Sequence, residues 1–112
     1  MSTPNQASTV STMITPVELA ERIRQGNAPR MIDVREVDEY ENEHIPGSEL
    51  FPLSRFNVDY QGLGKDEEIV LICRSGNRSG MAQQFLVRLG YTKTRNMVYG
   101  MMGWSGSTES GR

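Results

Sequence analysis

Ile69-Val70-Leu71-Ile72-Cys73-Arg74-Ser75-Gly76-Asn77-Arg78-Ser79-Gly80 joins four consecutive apolar residues, three of them β-branched, to a polar turn. The apolar run reads as a strand buried on both faces, as in a parallel sheet. The residues after it read as a turn feeding an amphipathic helix from near Gly80 through Leu89, with Met81, Ala82, Phe85 and Leu89 on one face. Cys73, the only cysteine, stands at that strand-to-helix junction. A lone cysteine ending a core strand is ordinarily a small buried hydrophobe. Two arginines and two hydroxyls within six residues change that reading to an anion-handling thiol. Loop amides, a helix N-terminus, Arg74 and Arg78 all favour thiolate, so Cys73 is expected to titrate below the ~8.5 of a free thiol.

Outward from this junction, strands and helices alternate. Thr15 is a helix N-cap, with Pro16 in the first turn, Glu18 closing a capping box and Ile14 stapling to Leu19; this helix runs to about Gln25 and stops at Gly26. Met31 to Val34 reads as a buried strand, Val37 to Asn42 as a short helix, and Ile45-Pro46-Gly47 as a turn into a short strand at Glu49 to Phe51. Leu53 to Tyr60 is a poor helix and Gly62 to Lys65 a surface turn. Asn96 to Tyr99 supplies a last strand and Trp104 a final anchor. Such alternation implies right-handed crossovers, a mainly parallel sheet with helices on both faces, and ligand binding at the carboxyl ends of strands, where Cys73 lies.

The 112 residues suffice for one domain with one modest core, at 37% apolar and 23% charged with a net charge of −2. No apolar stretch approaches the ~20 residues of a membrane span. Met1 to Thr12 is Ser/Thr-rich and lacks both Lys or Arg and a signal-peptide core; it reads as a disordered tail, and residues 105–112 as a flexible one. One cysteine allows no internal disulfide, which fits a cytoplasmic location, and no two-cysteine redox cycle. A single histidine with a single cysteine makes a poor metal site. Seven of the fourteen acids fall between Asp33 and Glu49, whereas residues 69–108 hold five cations and no acid. The cysteine half therefore suits a small anionic substrate. With a pI near 5.4 and no aromatics among the basic residues, nucleic acid is not expected.

Asp33-Val34-Arg35, Glu39-Tyr40 with His44-Ile45-Pro46-Gly47-Ser48, the Cys73-to-Ser79 loop, and Gly100-Met101 with Trp104 together resemble a single-domain rhodanese, in order and spacing, over about Met13 to Trp104. The resemblance implies a three-layer α/β fold with a central five-stranded, mainly parallel sheet. It also implies sulfur transfer without a cofactor: Cys73 takes sulfane sulfur from a donor such as thiosulfate and passes it to a thiol or cyanide, or to a thioredoxin-like or other sulfur-acceptor protein. Arg74 and Arg78 are then expected to hold the donor's sulfonate while the thiolate attacks its outer sulfur. Amides from Arg74 through Ser79 cradle the persulfide, with hydroxyl help from Ser75 or Ser79, and Gly76 lets the backbone bend around it. Asp33 and Arg35 are expected to form a structural ion pair or loop tether, and His44 to be hydrogen-bonded scaffold.

Two departures stand out. Tyr99 occupies the first of the family's usual Gly-Gly pair, where it is expected to narrow or cover the mouth of the site, and Glu43 replaces a usual Gly. Two other functions fit less closely. A phosphatase or arsenate reductase of the wider fold family places five residues between Cys and Arg, whereas only Arg74, Ser75, Gly76 and Asn77 intervene here. A persulfide carrier or docking module for a partner protein would keep Cys73 without turnover on thiosulfate.

Overall fold

The computed structural model describes residues 12–112. Five strands, β1 (Met13–Ile14), β2 (Arg30–Asp33), β3 (Glu49–Leu50), β4 (Ile69–Ile72) and β5 (Thr94–Met97), form one sheet in the order β1-β5-β4-β2-β3. Every pairing is parallel. Helices α1 (Pro16–Arg24), α2 (Val37–Asn42), α3 (Phe56–Asp59) and α4 (Asn77–Arg88) connect or cover the strands, with short 3₁₀ turns at Leu53–Arg55, Tyr60–Gly62 and Gly100–Gly103.

The apolar run is β4, the middle strand, and all four of its residues are buried. Alternation of side chains sends Ile69, Leu71 and Cys73 to one face, with Ala82 and Leu86 of α4 and Phe56 of α3. Val70 and Ile72 go to the other, with Leu19 of α1, Met97 and Ile14. Burial on both faces is why this strand is apolar without interruption.

The expected start of α1 is present in full. Thr15 Oγ1 accepts from the Glu18 amide at 3.1 Å, Glu18 Oε1 accepts from the Thr15 amide at 2.8 Å, and Gly26 follows with φ +73°. Several boundaries differ from expectation. The last strand is Thr94–Met97, not Asn96 to Tyr99, because the chain leaves the extended conformation before Tyr99, which holds φ +68°. Helix α4 begins at Asn77, not near Gly80, because Gly76 at φ +105° turns the chain directly into helix. Ile14 is both a staple and part of β1, an edge strand too short to carry a period-two signal. The C-terminal segment is not a free tail: His44 and Glu109 exchange backbone hydrogen bonds at 2.9 Å in each direction, the Gly111 amide donates to Glu41 O, and the Trp104 indole donates to Ser107 O. Met1 to Ser11 of the expected N-terminal tail lie outside the described residues. Thr12 is held, its carbonyl accepting from the Asn96 amide and the Gln83 side chain.

Candidate active site at the end of the central strand

Strand β4 delivers Cys73 to the carboxyl edge of the sheet with none of its surface exposed. Gly76 then adopts a left-handed conformation open to glycine at no steric cost, so its amide points back to the sulfur at 3.1 Å. Ser79, on the first turn of α4 and fully buried, presents its hydroxyl to the sulfur at 3.3 Å. Burial acts most strongly on the Cys73 thiol and pushes its pKa up. The Ser79 hydroxyl and the amides of Ser79, Gly76 and Ser75 together outweigh burial and hold the thiol below its ordinary value.

The loop is held from behind by the turn at Gly100–Gly103. The amides of Met101 and Met102 donate to the carbonyls of Cys73 and Arg74 at 2.8 and 3.0 Å. These bonds occupy the loop's carbonyls and leave its amides for the sulfur. Gly100 permits the approach: at φ +54°, a Cβ there would stand 2.4 Å from Cys73 O and 2.5 Å from Arg74 C. Asn96, at the carboxyl half of β5, fastens the other side. Its Nδ2 donates to Gly76 O at 3.0 Å and its Oδ1 accepts from Ser79 Oγ at 2.5 Å. Asn96 was not among the expected site residues. Its signal was an asparagine inside a strand, where its type is disfavoured.

The two arginines part company. Arg74 is exposed, and among the described residues its guanidinium has no ion-pair or hydrogen-bond partner. Arg78, expected to hold the sulfonate with Arg74, is already engaged: its Nη1 and Nη2 make a bidentate pair with Glu39 of α2 at 2.7 and 2.8 Å. That pair holds the Glu39 carboxyl at about 2, chiefly through the Arg78 hydrogen bonds and against the opposing effect of burial. Ser75 and Asn77 are both exposed at the loop surface. Arg74 shares a cleft of about 380 Å³ with Arg35, Glu39, Glu43 and Met102, and Ser75 shares another of about 360 Å³ with Tyr99, Met102 and Gly103. A roomier apolar cleft of about 510 Å³ lies between α1, Pro46 and Trp104 and contains no residue of the Cys73 loop.

Asp33 and Arg35 pair in the interior. Arg35 Nη2 reaches Asp33 Oδ2 at 2.8 Å and also donates to Glu43 O at 2.8 Å, tying the end of β2 to the end of α2. Glu43 tolerates its side chain because its φ of −169° is extended backbone that any residue adopts. His44 is scaffold: Nδ1 lies 2.7 Å from Tyr40 O, Nε2 lies 3.1 Å from Glu109 Oε2, and the ring stacks on Tyr40 with centroids 3.7 Å apart. Tyr99 holds φ +68°, the left-handed region that favours glycine, and lines the cleft rim with 68% of its surface exposed. It borders the opening instead of capping it. Among the described residues no cluster of three metal-ligating side chains occurs, and no helix is long and apolar enough to cross a membrane.

Known proteins share this chain's family and fold. The model of the rhodanese-like domain matches residues 15–107. A Bacillus subtilis protein provisionally named a sulfur carrier, YrkF, is 38% identical over 89 residues, which cover 80% of this chain and 48% of that protein. The chain thus spans about half the length of that relative. YtwF of the same organism, provisionally named a sulfurtransferase, is 36% identical over 86% of this chain and 92% of its own. The crystal structure of a rhodanese-related protein from Thermoplasma volcanium superposes with a TM-score of 0.75 at 31% identity, over 84% of this chain and 90% of that one. A rhodanese-like domain protein from Staphylococcus aureus has the same fold, with a TM-score of 0.83 at 24% identity over 91% of this chain and all of its own. A five-stranded parallel sheet, a cysteine at the end of its middle strand and a matched family model over 93 residues lead to one conclusion: the chain belongs to the rhodanese-like domain family.

Proposed function

We propose that this chain is a sulfurtransferase that moves sulfane sulfur from a small donor, thiosulfate or a similar species, to a thiophilic acceptor through a persulfide on Cys73. The observation that carries this reading is the buried Cys73 sulfur facing the Gly76 amide and the Ser79 hydroxyl. A cradle of that size suits one sulfur anion.

In the proposed cycle the thiolate attacks the donor's outer sulfur, a new S–S bond forms, and the donor's own S–S bond breaks with its electron pair leaving on the departing group. For thiosulfate that group is sulfite. The contacts that hold the thiol below its ordinary pKa favour the thiolate that attacks. A thiol or cyanide then removes the terminal sulfur of the persulfide. Four residues between Cys73 and Arg78 leave a narrower loop than a phosphate group requires, which favours sulfur over phosphoryl or arsenate chemistry. A reducing compartment such as the cytoplasm would preserve the single thiol.

The likeness to a protein named a sulfur carrier favours a second reading, in which a sulfur-acceptor protein takes the persulfide sulfur directly. Mass spectrometry after incubation with donor is the test. One sulfur atom added to the wild type and none to Cys73→Ser is expected; an unmodified wild type would refute the proposal. A panel of thiol, cyanide and protein acceptors then separates enzyme from carrier.

A further inference from the structure

The charges around the Cys73 loop are almost wholly spent on one another. Arg35 pairs with buried Asp33, and Arg78 pairs bidentately with Glu39. Glu43 faces the same cleft as Arg74, which is the one loop cation without a partner among the described residues. The sequence around the cysteine carries an excess of cations, yet the folded cleft is close to neutral. Acids brought in from α2 and its C-terminal end make the difference.

A donor must approach a thiolate, so its own charge opposes the approach unless the site supplies cations. Thiosulfate brings two negative charges. With Arg78 held by Glu39, it meets a single free guanidinium. A persulfide of a small thiol, R–S–SH, has a neutral reactive form and needs no such clamp. Its transfer balances: the Cys73 thiolate pair forms the new S–S bond, R–S⁻ leaves with the electrons of the old one, and the terminal sulfur keeps its proton.

We infer that Glu39 is a specificity-determining residue that withdraws Arg78 from the loop and so tunes this site to low-charge persulfide donors in preference to dianionic thiosulfate. This rests on the sulfurtransferase reading above. The carboxylate is well placed for the role, because Glu39 also accepts the Glu36 amide at 3.0 Å and is anchored to the start of α2. Arg78 therefore has a fixed partner on a rigid element.

The test compares Cys73 loading by thiosulfate and by cysteine persulfide in the wild type, Glu39→Gln and Glu39→Gln/Arg78→Gln. Glutamine preserves an oxygen acceptor for the Glu36 amide, so α2 keeps its cap, and circular dichroism checks the fold. Wild type should load faster from cysteine persulfide than from thiosulfate. Glu39→Gln should raise the thiosulfate rate roughly ten-fold by freeing a guanidinium for charge-assisted hydrogen bonds. That gain should fall with added salt. Cysteine persulfide loading should change less than about two-fold in the same variant, because a neutral reactant gains little from an added cation. The double variant should lose the gain. Equal wild-type rates from the two donors, or an unchanged thiosulfate rate in Glu39→Gln, would overturn this inference while leaving sulfur transfer intact. Failure of both donors to load Cys73 would overturn the sulfurtransferase reading and this inference with it.

Discussion

The Ser79 hydroxyl stands 3.3 Å from the Cys73 sulfur and has one proton to give. The side-chain oxygen of Asn96 competes for that proton from 2.5 Å. When Cys73 ionises, the sulfur becomes the stronger acceptor and draws the proton toward itself. Ser79 is therefore a hydrogen-bond donor to the thiolate.

Ser79→Ala should raise the pKa of Cys73, because it removes a contact that favours the anion and leaves burial, which opposes it, in place. The pH dependence of alkylation should shift to higher pH, with slower alkylation at neutral pH. An unshifted profile would mean that the loop amides alone hold the thiolate.

Gly100→Ala should cost about 3 kcal/mol or more, since a methyl group there meets the Cys73 and Arg74 backbone and the residue must also hold a positive φ. Gly26→Ala faces open space at a similar φ and should cost about 1 kcal/mol. Urea unfolding of the two variants isolates the contribution of close approach. Equal losses would contradict it.

Tyr99→Gly should relieve a left-handed tyrosine. Removing that strain gains about 1 to 2 kcal/mol, against roughly 0.5 to 1 kcal/mol for the greater freedom of glycine in the unfolded chain. The net is a stabilisation of up to about 1.5 kcal/mol, read as a rise in Tm, together with a wider cleft beside Ser75 and faster loading by bulky donors. A clear loss of stability would show that the ring makes contacts worth more than the strain.

The Glu39–Arg78 pair should make stability fall in acid. Glu39 has a folded pKa of about 2, below the 4.5 of an unperturbed glutamate, so the stabilising contribution is complete above 4.5 and disappears as pH falls toward 2. After solvent screening it amounts to about 1 to 2 kcal/mol. Glu39→Gln should flatten the stability profile across that window, measured by urea titration at successive pH values.

Much of this architecture was legible in the chain because the local signals agreed with one another. The Thr15-to-Leu19 helix start, the run ending at Cys73 and the turns at Gly26 and Gly47 each depend on neighbours in sequence, and α2 spans Val37 to Asn42 as expected. What escaped depends on distance. The loss of Arg78 to Glu39 spans 39 positions, and the pin between His44 and Glu109 spans 65. Asn96 reaches the loop only because β5 pairs with β4. No window around Cys73 contains these partners, so the chain showed which groups could bind an anion but not which of them were already engaged.

The strand that carries Cys73 lies third of five, with a hydrogen-bonded neighbour on each side. Edge strands fray through small openings, but amides in the middle of a sheet exchange with solvent only when much of the structure comes apart. Amide exchange at Ile69 to Ile72 should therefore be among the slowest in the chain. A copy that has loosened at β1 or β3 would still hold Cys73 in its cradle, and the thiol would be laid open to uncontrolled chemistry only when the molecule as a whole has failed.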